Sequence, residues 1–143
     1  MSRRYSKQAR NRVRDFVELQ ITDYHSNRRA LADYRAQSIP SAVPKYGGTG
    51  GGHGGDSRPT ELIGVRMASD QYIEHLTRSV AAVGAVLSRL SPEDRRLVRL
   101  RYWCRGYTVE RAAQELYLSK SATYRKLNAI TTAVARELGY ISF

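Results

Sequence analysis

At 143 residues the chain has material for one modest hydrophobic core and too little for a large multidomain enzyme. Its 24 lysines and arginines against 13 acids give a formal charge of +11, which selects polyanionic partners: DNA, RNA or an anionic membrane surface. The single cysteine, Cys104, rules out an intramolecular disulfide and a cysteine-based metal site, and no stretch of about 18 apolar residues is present to span a bilayer.

Residues 6–36 carry an uninterrupted helical pattern, with Val13, Val17, Ile21, Tyr24 and Leu31 on one face and no glycine or proline between them. One long amphipathic helix is expected, behind a frayed Met1–Arg4 that lacks the apolar run of a signal peptide. Its other surface carries Arg10, Arg12, Arg14, Arg28, Arg29 and Arg35, either a solvated charged face or a set of phosphate contacts. Residues 1–58 hold eleven cations and five acids. Only four of the chain's cations are lysine, an excess of arginine that suits bidentate phosphate and guanine contacts but also follows from GC-rich coding.

Helix signals stop at Ser38. The segment IPSAVPKYGGTGGGHGGDSRP holds three of the four prolines and seven of the eleven glycines, and it reads as a linker over about residues 38–58. A phosphate-binding P-loop needs a Gly-Lys pair, which occurs nowhere in the chain. His25, His53 and His75 have no metal-ligand spacing, so no metal or cofactor is expected.

A second long helix is expected from Pro59 or Thr60 to Arg89, with Asp56 or Ser57 near its N-cap and a bend possible at Gly64 or Gly84. Within it Ile73, Leu76, Val80, Val83, Leu87 and Leu90 form a heptad-like seam. That seam needs a partner helix, supplied either by the first helix as an antiparallel hairpin or by a second copy of the chain.

Leu90-Ser91-Pro92-Glu93-Asp94 is a helix start: Ser91 as N-cap, Pro92 at the first helical position and two acids in the first turn. Leu97 and Leu100, or Val98 and Arg101 beside them, are expected to face inward with Trp103, which anchors three short helices. Arg95, Arg96, Arg99 and Arg105 lie outward, where a scaffold helix meets a phosphate backbone. Thr108 N-caps a short helix with Val109, Ala112, Ala113 and Leu116 inside, and Ser119 N-caps another whose buried stripe is Thr123, Leu127, Ile130, Val134 and Leu138. The opposite face of that last helix carries Lys120, Ser121, Tyr124, Arg125 and Asn128, hydrogen-bonding and cationic groups in the turns that reach base edges in a major groove. Together these are a helix-turn-helix, with Thr108 and Ser119 placed to bind phosphates at the helix starts. Tyr117 departs from the motif, standing in the turn where glycine commonly supplies a left-handed conformation.

The expected architecture is all-α: an N-terminal arm over 1–90, a long-helix hairpin with its Gly-rich linker, followed by a helix-turn-helix domain over 91–143. Glu110, Glu115 and Glu137 are spaced as solvated helix positions and no nucleophile-base pair is recognisable, so no catalytic activity is expected.

The stretch LSPEDRRLVRLRYWCRGYTVERAAQELYLSKSATYRKL resembles the C-terminal helix-turn-helix of sigma factors. With its N-terminal helix, GGTGGGHGG segment, middle helix and closing VARELGY, the whole chain is similar to phage late-gene transcriptional activators of the RinA and ArpU type. The resemblance implies a regulator in the cytoplasm of a bacterial host that binds promoter DNA as a monomer or homodimer and works with host RNA polymerase. It also implies that Thr108, Ser119, Lys120, Ser121, Tyr124 and Arg125 face the DNA. The alternative is a small terminase-like DNA-packaging subunit, which also uses a basic helix-turn-helix but assembles into rings.

Overall fold

Why the chain becomes helical is visible at its caps. The Ala9, Asp94, Arg111 and Ala122 amides donate to the side-chain oxygens of Ser6, Ser91, Thr108 and Ser119, at 3.1 to 3.2 Å. Each of these bonds satisfies an N-terminal amide that the helix itself leaves without a partner. The computed structural model describes residues 6–37 and 59–140, and all regular structure among them is helical, as expected. In order the helices are α1 Lys7–Thr22, α2 Tyr24–Gln37, α3 Pro59–Arg89, α4 Pro92–Val98, α5 Val109–Glu115 and α6 Lys120–Glu137. A π-helical turn, Arg99–Trp103, extends α4. The Gly-rich segment and the caps assigned to Asp56 and Ser57 lie outside the described residues. No described helix is long and apolar enough to cross a membrane.

The single helix expected over 6–36 is two helices, broken at Asp23, whose backbone leaves helical geometry at φ −87°, ψ 4°. The cause is tertiary. The Trp103 indole Nε1 donates to the Ile21 carbonyl at 2.9 Å, in the last turn before the break, where a side chain inserted against the backbone bends a helix. The Trp103 ring stacks on Tyr24, 6.1 Å between centroids, and meets His25 edge-on at 4.3 Å. Trp103 therefore does not anchor the three short C-terminal helices to one another, as its sequence position suggested. It fastens them to the α1–α2 junction.

Helix α3 runs unbroken through Gly64 and Gly84. At Gly84 the missing side chain serves packing: a Cβ there would stand 3.2 Å from the Tyr24 hydroxyl, so glycine lets α2 come close. The buried line of α3 is Leu76, Ser79, Val83 and Val86, with Ala82 beside it, while Ile73, Val80 and Leu87 are half-buried. The line differs from the expected seam because α3 meets α2, α1 and α6 together rather than one partner helix. Ser79, buried, donates to the equally buried Gln20 Oε1 at 2.7 Å, which keeps both polar groups satisfied.

One cluster joins Val17 and Ile21 of α1, Val83 and Val86 of α3, Val98 of α4, and Ile130, Val134 and Ala135 of α6. A smaller one joins Leu97 and Leu100 to Ala112 and Leu127, and holds the helix-turn-helix together. Leu97 and Val98 are adjacent and both fully buried, one in each cluster, so α4 is the wall shared by the two. The π turn, closed by the Cys104 amide on the Arg99 carbonyl at 3.0 Å, directs Tyr102 and Trp103 onto α1. Tyr102 donates to Glu18 Oε1 at 3.2 Å, and burial, reinforced by that carboxylate, pushes its hydroxyl far above the ordinary value of 10, keeping it a donor.

Candidate nucleic-acid interface

Helices α5 and α6 are joined by a turn only four residues long, Leu116 to Ser119. The Leu118 amide donates to the Ala113 carbonyl at 2.9 Å and the Tyr117 amide to Gln114 at 3.2 Å, the bond pair of a Schellman motif. Helix α6 ends on the same pair, Tyr140 to Ala135 and Gly139 to Arg136, with Gly139 in the left-handed position at φ +93°. In the first turn that position belongs to Tyr117, at φ +55° and 97% exposed. Its ring gains nothing from burial that would offset the left-handed backbone. Tyr117→Gly is expected to raise stability by about 0.5–1 kcal/mol, read from the urea midpoint; an unchanged midpoint means the turn carries no strain.

On α6 the inward residues are the expected ones: Thr123, Leu127, Ile130 and Val134 are buried and Leu138 half-buried, with Thr131 and Ala135 widening the stripe. Lys120, Ser121, Tyr124, Arg125 and Asn128 are all exposed on the other side. The cations among them differ. Lys120 Nζ lies 3.0 Å from Glu110 Oε1, a bond that raises the lysine's pKa and lowers the carboxylate's. Arg125 has no carboxylate partner among the described residues.

The scaffold arginines also separate. Arg96 lies 3.8 Å from Glu115. Arg95 is exposed as expected, and its guanidinium donates to the Leu87 and Ser88 carbonyls at 2.9 and 3.2 Å, closing the end of α3. Arg99 and Arg105 are exposed. Thr108 and Ser119 are exposed, and their hydroxyls accept the cap bonds already described.

Two arrangements go beyond what the sequence offered, which was Arg10 and Arg14 on a charged face of the first helix and nothing for Lys126. Lys126, one position from Arg125, is a structural cation: its Nζ lies 2.8 Å from Asp94 and 3.1 Å from Glu93, tying α6 to the start of α4. Lys7, Arg10, Asn11 and Arg14 of α1 line a groove of about 420 Å³ with Asn128 and Thr132 of α6. The signal was available, since positions 7, 10, 11 and 14 form an i, i+3, i+4, i+7 stripe, here polar.

A short turn between two capped helices, the second exposing cations and hydrogen-bonding groups on one face and packing on the other, defines a helix-turn-helix protein. The family model described as ECF sigma factor matches residues 51–139, more than half of the chain. The chain therefore belongs to the ECF sigma factor family, whose general role is DNA binding and transcription regulation rather than enzyme catalysis, with DNA and RNA polymerase as partners at that level. No curated protein and no solved structure matches the chain.

Proposed function

We propose that the chain is a sequence-specific, promoter-binding transcription regulator, and within that class an activator of phage late genes of the RinA and ArpU type. It acts with host RNA polymerase in the bacterial cytoplasm, as a monomer or homodimer. The observation that carries the DNA-reading part is the exposed face Lys120, Ser121, Tyr124, Arg125 and Asn128, on a helix whose opposite face is locked into the core. The late-gene part rests on the resemblance of the whole arrangement, Gly-rich segment included, to those activators. In the assignment of roles, Arg125 reads bases with Lys120, Ser121 and Tyr124, while Arg96 and Arg99 meet phosphates.

Mapping the protein's binding across its phage and host genomes tests this reading. Enrichment upstream of one late operon, with more run-off transcript from that promoter when the protein joins RNA polymerase, supports it; uniform coverage overturns it. A stable many-membered ring in light scattering would favour the packaging alternative.

The Lys120–Glu110 pair makes a further expectation. Bound DNA has to compete with Glu110 for the ammonium, so Glu110→Gln frees a cation at the interface. The substitution is expected to tighten duplex binding several-fold and to steepen the dependence of log K on log salt by about 0.9. Equal binding by both proteins in fluorescence anisotropy removes Lys120 from the interface.

A further inference from the structure

The groove between α1 and α6 borders the face of α6 assigned above to DNA. Lys7, Arg10, Asn11 and Arg14 descend one face of α1, and Asn128 and Thr132 face them from α6. Asn128 and Thr132 continue the outward line Ser121, Arg125, Asn128, Thr132, which spans about 16 Å of helix at 1.5 Å per residue. The basic edge of α1 thus adjoins the far end of the reading face.

Charge pairing sets this edge apart. Among the described residues Lys120, Lys126, Arg89 and Arg96 each have a carboxylate within 4 Å, whereas Lys7, Arg10 and Arg14 have none. Lys7 and Arg10 are exposed, and the first turn of α1 holds no acid. Three cations with no carboxylate within 4 Å among the described residues and three amide or hydroxyl side chains, Asn11, Asn128 and Thr132, therefore line one concave surface, a donor set that fits phosphate oxygens.

Duplex geometry says where those phosphates lie. A helix with its side chains is about 10–12 Å across and the major groove about 12 Å wide, so α6 fills the groove it reads. Helix α1 packs on the buried stripe of α6 and lines a groove with that helix's outward Asn128 and Thr132, which sets the Lys7–Arg14 edge toward the backbone that borders the groove. We propose that the Lys7–Arg10–Arg14 edge of α1, with Asn128 and Thr132, is a phosphate clamp on that bordering strand, contributing affinity without sequence preference. The proposal rests on α6 entering DNA, and it makes α1 part of the interface rather than only a support.

The test uses the full chain and a fluorescein-labelled duplex of random sequence, about 30 bp, titrated by anisotropy over a series of KCl concentrations. Lys7→Ala with Arg10→Ala is expected to weaken binding by at least about tenfold near 0.1 M salt and to make the log–log salt slope shallower by about 1.8, two contacts' worth. Lys7→Arg with Arg10→Lys, which keeps both charges, is expected to retain the parent slope. Arg29→Ala with Arg35→Ala removes two cations from α2, outside the groove, and is expected to leave the slope unchanged. A parent slope in the Lys7/Arg10 alanine variant overturns the clamp while leaving DNA binding by α6 intact. An equal loss in the Arg29/Arg35 variant overturns it too, by showing that net charge alone is at work. Absence of any duplex binding by the parent overturns the clamp and the DNA-reading function together. Unchanged thermal melts of the variants attribute the losses to the interface.

Discussion

Replacing Trp103 with alanine is expected to destabilise the fold by about 3 kcal/mol, at the low end for a truncated tryptophan because the ring is only half-buried. Three contacts go together: the stack on Tyr24, the edge contact with His25 and the 2.9 Å bond from the indole to the Ile21 carbonyl. The last joins the π turn directly to the backbone at the end of α1. Trp103→Phe keeps an aromatic ring but removes the N–H together with part of the indole, so it is expected to cost about 1–2 kcal/mol, less than the alanine variant. Against a total stability of about 5–15 kcal/mol, the alanine variant loses a large share, visible as a thermal midpoint lower by about 10 °C. A loss below about 1 kcal/mol would mean that Trp103 does not fasten α1 and α2 to the helix-turn-helix.

The same residue shows where the sequence stops being informative. The caps at Ser91, Thr108 and Ser119 were legible because each bond joins residues three apart, and the inward stripe of α6 because its period is local. The break at Asp23 was not legible, because no glycine or proline marks it and its cause lies 82 residues away. Tyr117 was legible as an anomaly, and the left-handed backbone found there is what the turn's hydrogen bonds require of whichever residue occupies it. The exposed residues of α6 were also placed correctly on their face, but composition gives no indication of which cations are already neutralised. Glu110 lies ten residues before Lys120, and Asp94 lies 32 before Lys126. Only the packing of α5 and α4 against α6 brings these charges into contact.

That distinction decides the largest functional expectation. With Lys120 held by Glu110 and Lys126 by Asp94 and Glu93, Arg125 has no carboxylate partner among the described residues, so under the proposed function it is the cation that meets a base without first giving up a carboxylate. A guanidinium that donates to O6 and N7 of guanine is worth about 1–3 kcal/mol of discrimination, or about five- to 150-fold in affinity at one position of the site. Arg125→Ala is therefore expected to weaken binding to the preferred site by that factor and to relax selectivity at one base pair. Random duplex should lose only the small share expected of a single charge. Arg125→Lys keeps the charge but not the planar fork, so it is expected to restore random-duplex binding and leave selectivity impaired. The measurement is a set of competition titrations against the mapped site and its single-base variants, run beside the Lys7/Arg10 alanine variant, for which losses should be equal on every sequence. If Arg125→Ala also loses equally on every sequence, Arg125 is a phosphate contact, and base reading passes to Ser121, Tyr124 and Asn128.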